Sequence, residues 1–118
     1  MSHTIAVTTG EPAGIGPEIC VKAVFTGRFK SPVTLVGDKR LLIETSEKLG
    51  FGSLFPDSVF FDDVRLAAPV VPGKPDTANA PYVVETLRRA AAGAQNGTYE
   101  AVVTAPVQKS IIDEAGIP

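Results

Sequence analysis

One cysteine and one histidine are all that this chain of 118 residues holds of two side chains much used to grip transition metals. Cys20 alone can close no internal disulfide and builds no zinc-type cluster, which fits a reducing compartment and makes the cytoplasm the expected location. His3 stands in the first residues of the chain, where a lone histidine is ordinarily part of a solvated tail. No apolar run approaches the ~20 residues of a membrane helix, and Met1-Ser2-His3-Thr4 lacks the basic stretch and apolar core of a signal peptide. Neither membrane insertion nor export is expected. The net charge is only −2, with Lys and Arg scattered along the chain, so the electrostatic footprint of a nucleic-acid binder is missing. Repeats, low-complexity tracts and charge blocks are missing too, and the chain reads as one continuous globular segment.

What is present suits a folded α/β protein. A hydrophobic fraction of 44% with 20% charged residues lies far from the disordered regime, and the length suits one domain of roughly 100–150 residues. Thr4 to Thr9 is short and β-branched and ends at Gly10, which predicts a buried strand and a turn. Gly16-Pro17-Glu18 predicts a helix start, with Ile19, Ala23 and Val24 as its apolar face before Gly27. Pro32 to Gly37 repeats the strand-then-glycine pattern; Asp38 then caps a helix over Lys39 to Leu49, with Leu41, Leu42, Thr45 and Leu49 on one face and Gly50 ending it.

Val59-Phe60-Phe61 predicts a third strand, and the prolines of Leu66 to Asp76 predict an extended loop with an edge strand at Val70-Val71. Asp62-Asp63 is expected in a solvated turn after that third strand. Asn79 is placed to cap the longest helix, reaching Asn96, with Val83, Leu87, Ala90, Ala91 and Ala94 at helical spacing. Tyr99 to Thr104 is a further strand, and Pro106 opens a short helix ending near Gly116. Strands alternating with helices predict a largely parallel sheet with helices on both faces.

Two segments could carry chemistry, each at the C-terminal end of a strand. Thr9-Gly10-Glu11-Pro12-Ala13-Gly14-Ile15-Gly16-Pro17-Glu18 offers glycines that let backbone approach a ligand, and free N–H groups at the helix start. Its spacing is neither the dinucleotide fingerprint nor a phosphate-binding P-loop, and a plain strand-to-helix turn is the competing reading. Val102 to Lys109 puts the Thr104 hydroxyl at a strand end and the Lys109 ammonium where it could meet an anionic substrate. A lysine in a first helical turn is more often solvated surface. Cys20, in the first turns of a helix, is expected to serve as a small buried apolar group.

Taken together, the string at 9–18, Val-Pro-Gly-Lys-Pro at 71–75 followed by Tyr82 to Leu87, and Thr104 to Lys109 running to Ala115-Gly116-Ile117 resemble the 4-hydroxythreonine-4-phosphate dehydrogenase family in order and spacing. The resemblance covers all 118 residues. The first string also resembles the loop of isocitrate and isopropylmalate dehydrogenases, which implies their fold, here incomplete.

The resemblance implies an NAD-dependent oxidation of 4-phosphohydroxy-L-threonine during pyridoxal phosphate synthesis, assisted by a divalent metal and followed by decarboxylation, in a homodimer. It places Gly10, Glu11, Gly14 and Gly16 in a loop near the cofactor or active site, and Thr104 and Lys109 near the substrate. It further implies that residues 1–118 are the N-terminal α/β segment of a longer two-domain enzyme, because a Gly-His-Thr-Glu motif and three metal-binding histidines are expected beyond Pro118. This chain would then hold no metal ligand, would be inactive alone, and would leave sheet edges uncovered. Gln108 stands where some members carry histidine. Two other readings stay open: a related dehydrogenase with another hydroxy acid substrate, and a stand-alone domain that binds an anion or a partner without catalysis.

Overall fold

Right-handed crossovers decide which face of a parallel sheet each connecting helix covers. In the computed structural model, which describes residues 4–71, 73–74 and 76–105, the chain runs β1 (Thr4–Thr8), α1 (Gly16–Phe25), β2 (Val33–Gly37), α2 (Lys39–Lys48) and β3 (Val59–Asp63). A 3-10 turn (Thr77–Asn79), α3 (Ala80–Gln95) and β4 (Tyr99–Thr104) follow. The four strands form one wholly parallel sheet in the order β3-β2-β1-β4. Two steps from β1 to β3 go one way across the sheet, and the step from β3 to β4 returns past β1. The first two helices therefore lie on one face and α3 on the other.

Each face has its own core. Val7, Val33 and Leu35 point to Cys20, Val21, Val24 and Leu42 of α1 and α2; Ala6 and Val36 point to Tyr82, Val83 and Ala90 of α3. Leu35 and Leu42 are fully buried, and each such side chain contributes about 1.5–3 kcal/mol. β4 is an outer strand, and among the described residues little covers it: Val102 and Val103 are 37% and 43% exposed.

Several expectations shift in detail. The apolar face of α1 is Cys20, Val21 and Val24, while Ile19 is exposed, because β1 and β2 lie on that side. In α3 the buried stripe runs through Tyr82, Val83, Thr86, Ala90 and Gly93, and Ala91 and Ala94 face outward. Gly93 is there for Tyr99, whose ring fills the space a Cβ would take. Val70-Val71 makes no edge strand, only a lone bridge from Val71 to Lys74. Asp62 and Asp63 end β3 instead of lying in a solvated turn: Asp62 pairs with Arg89 at 2.9 Å and accepts from Tyr99 Oη at 3.2 Å, and Asp63 accepts from the Lys39 N–H at 3.0 Å. Cys20 is buried as expected, and burial pushes its thiol from the ordinary 9.0 up to about 11. The helix expected from Pro106 and the residues His3, Gln108 and Lys109 lie outside the described residues.

Candidate functional site

Open parallel sheets bind ligands at the carboxyl ends of their strands, in the crevice where strand order reverses. Here the reversal falls between β1 and β4, and both chemistry-bearing segments begin there. Thr104 is the register partner of Thr8, and the Ala105 N–H donates to the Thr8 carbonyl at 3.0 Å. The end of β4 is thus stitched to the residue that precedes the glycine loop. The third resembling segment joins them, since the Gly73 N–H donates to the Ala13 carbonyl at 2.9 Å.

The loop glycines divide by cause. Gly10 has φ 74°, a left-handed backbone that favours glycine. Gly16 sits so close to β1 that a Cβ would overlap the Thr9 carbonyl oxygen and lie 3.2 Å from Ala105 Cβ, so its bare backbone lets α1 start against the strand. Gly14 has neither need: its backbone is not left-handed, and an added Cβ would come no nearer than 3.5 Å, to the Glu11 carbonyl oxygen. Glu11 does not face outward. It is 3% exposed, and its Oε1 accepts from the Ala13 N–H at 3.3 Å, closing the turn from within.

Gly14 is exposed on the wall of a cleft of about 670 Å³. Pro12, Ala13 and Pro17 share its wall, Leu41 and Thr45 of α2 stand opposite, and Leu66 to Val70 close one side. Dinucleotide sites of the Rossmann type use an acid at the end of the second strand to bind ribose. Asp38 holds that position with both oxygens engaged: Oδ1 accepts from the Leu41 N–H at 3.0 Å, capping α2, and Oδ2 accepts from the Leu66 N–H at 2.9 Å. Asn79 does not cap α3 with its side chain. Its Oδ1 accepts from the Ala67 and Ala68 N–H groups at 3.1 and 2.9 Å, pinning the loop that closes the cleft.

Under the loop lies a polar hub. Tyr82 Oη accepts from the Asp38 N–H at 2.9 Å and lies 3.4 Å from Thr9 Oγ1. Desolvation raises the Tyr82 pKa, while its contacts with Thr9 and the Asp38 N–H partly offset the rise. Thr8 Oγ1, buried at the end of β1, has no hydrogen-bond partner among the described residues. Sequence reasoning expected Asn79 as a helix cap and named Tyr82 only within a resembling string; it missed what both side chains bond to and the second bond of Asp38, because those partners lie far off in sequence. Among the described residues no three His, Cys, Asp or Glu side chains converge to hold a metal, and no helix is long and apolar enough to cross a membrane.

Known proteins share this fold. A 4-hydroxythreonine-4-phosphate dehydrogenase of Janthinobacterium sp. (strain Marseille) is 41% identical over 98% of this chain, which spans 38% of that protein's length. A crystal structure of 4-hydroxythreonine-4-phosphate dehydrogenase from Klebsiella pneumoniae superposes with a TM-score of 0.82 at 31% identity, covering 98% of this chain and 40% of that one. A terephthalate 1,2-cis-dihydrodiol dehydrogenase from Burkholderia xenovorans LB400 matches with a TM-score of 0.80 at 26% identity, covering 100% and 38%. Because residues 29–118 also match the family model itself, the chain belongs to the family described as Pyridoxal phosphate biosynthetic protein PdxA.

Proposed function

We propose that this chain supplies the N-terminal part of an NAD-dependent dehydrogenase that oxidises 4-phosphohydroxy-L-threonine, with loss of the product's carboxylate, on the way to pyridoxal 5'-phosphate. Relatives that carry the 4-hydroxythreonine-4-phosphate dehydrogenase name support the activity, and the geometry at Gly14 supports the site. A glycine demanded by neither conformation nor packing, on the wall of a cleft at a strand end, is best explained by a ligand that needs the missing side chain's space.

NAD, when bound, supplies the acceptor for the hydride that leaves the hydroxyl-bearing carbon. The chain's own residues position. Gly10 turns the backbone, Glu11 locks the turn through Ala13, Gly14 presents bare backbone to the ligand, and Gly16 seats α1 on β1. Thr104 ends β4 beside Thr8, the residue that precedes the loop, and Lys109 is assigned to the anionic end of the substrate. Asp38 caps α2 with one oxygen and holds the Leu66 N–H with the other, which fixes the second wall of the cleft. The divalent metal and the homodimer belong to the same proposal. The described residues do not fit a metal, so its ligands are assigned elsewhere in the enzyme and no step is drawn through it. The cytoplasm remains the proposed location.

A second reading, a related dehydrogenase with a different substrate, draws on the likeness to the Burkholderia xenovorans dihydrodiol dehydrogenase. One experiment separates the readings. The 118 residues are joined to the C-terminal part of the Pseudomonas aeruginosa relative, and NADH formation is followed with 4-phosphohydroxy-L-threonine and with a cis-dihydrodiol. Turnover of the phosphorylated substrate that Gly14→Val abolishes is expected. A folded chimera that makes no NADH from it sinks the proposal.

A further inference from the structure

A buried tyrosine used only for packing would do as well as phenylalanine, because desolvating the hydroxyl costs free energy unless hydrogen bonds replace water. Tyr82 is 3% exposed in the first turn of α3. Its oxygen accepts from the Asp38 N–H at 2.9 Å, and Thr9 Oγ1 is its other hydroxyl partner, either oxygen able to donate. That contact, at 3.4 Å, is longer than a full-strength O–H···O bond. The space between them is reserved: a Cβ on Gly37 would strike Thr9 Oγ1 and come within 3.0 Å of Tyr82 Oη.

We propose that Tyr82 is a positioning residue whose hydroxyl sets the glycine loop in register with the opposite wall of the cleft. Thr9 is the first residue of that loop. Asp38, held by the phenol at its N–H, caps α2 with one carboxylate oxygen and holds Leu66 with the other. Asn79, the residue just before α3, fixes Ala67 and Ala68. Two side chains at the start of one helix therefore govern both walls, and a shift of α3 moves them together. The proposal rests on reading the glycine loop as the ligand-facing element.

Amide hydrogen exchange on the chimera with the C-terminal part of the Pseudomonas aeruginosa relative tests it with Tyr82→Phe, which keeps the ring. Exchange at Asp38, Leu66, Ala13 and Gly14 is expected to quicken roughly fivefold, with the central amides of α1 and α3 unchanged. Thr9→Val should reproduce the loop effect, and Thr9→Ser, which restores a hydroxyl, should remove it. Unchanged loop amides in Tyr82→Phe overturn the proposal. So does an equal rise across all helices, a Tyr82→Phe chain that fails to fold, or a Thr9→Val protein that behaves as wild type. Titration of the wild type with NAD, followed at the same amides, tests the reading of the loop separately.

Discussion

Gly16 starts α1 directly against the carbonyl oxygen of Thr9, so that the helix and the strand end share a contact no side chain can enter. The contact fixes the length of the turn between them. At Gly14, two residues earlier, an added Cβ would make only ordinary van der Waals contacts, with Glu11 at 3.5 Å and beyond.

The two glycines should respond oppositely to the same change. Gly16→Ala forces α1 off β1 and should cost about 1–3 kcal/mol by urea unfolding. Gly14→Ala should leave the unfolding midpoint unchanged within roughly 0.5 kcal/mol while weakening turnover in the chimera. Equal destabilisation by both would refute the division of roles.

Asp38→Ala removes the cap of α2 and the acceptor for Leu66 together. A loss of about 2–3 kcal/mol is expected, from one cap and one partly buried charged hydrogen bond. Asp38→Asn keeps one acceptor oxygen and should recover about half of that loss. Denaturation of the two variants side by side checks the order.

Stability should fall at alkaline pH through Cys20. Its folded pKa, about 11, stands above the ordinary 9.0 because burial disfavours the thiolate. The contribution is complete below pH 9 and is lost as pH rises toward 11, since the unfolded chain releases its proton first. Between pH 8 and 10.5 the loss assigned to Cys20 is about 1–2 kcal/mol. Tyr82 and Tyr99, both raised mainly by desolvation, act with the same sign. Cys20→Ala should flatten the profile in part, and an unaltered slope would show that the thiol does not drive it.

Thr8→Val replaces a buried hydroxyl that has no hydrogen-bond partner among the described residues with a methyl group of the same shape. Thermal unfolding should show equal or higher stability, by up to about 1 kcal/mol. A loss of more than about 1 kcal/mol would mean that the hydroxyl is hydrogen-bonded in the protein.

The sequence by itself determined four strands and three helices, though not the edge strand expected at Val70-Val71, which did not form. Alternating β-branched runs and glycine stops placed these elements close to their observed bounds, because those signals act within a few residues. It also determined Asp38 as a cap, and the spaced motifs carried the family. The tertiary structure alone decided the rest. The order β3-β2-β1-β4 brought Thr104 beside Thr8, turned the buried face of α3 from Ala91 and Ala94 to Tyr82 and Gly93, and gave Asp62 its partner Arg89. It also separated Gly14 from Gly16. Spacing along a chain shows that glycine stands at both positions, and only the distance to Thr9 shows which one the fold requires.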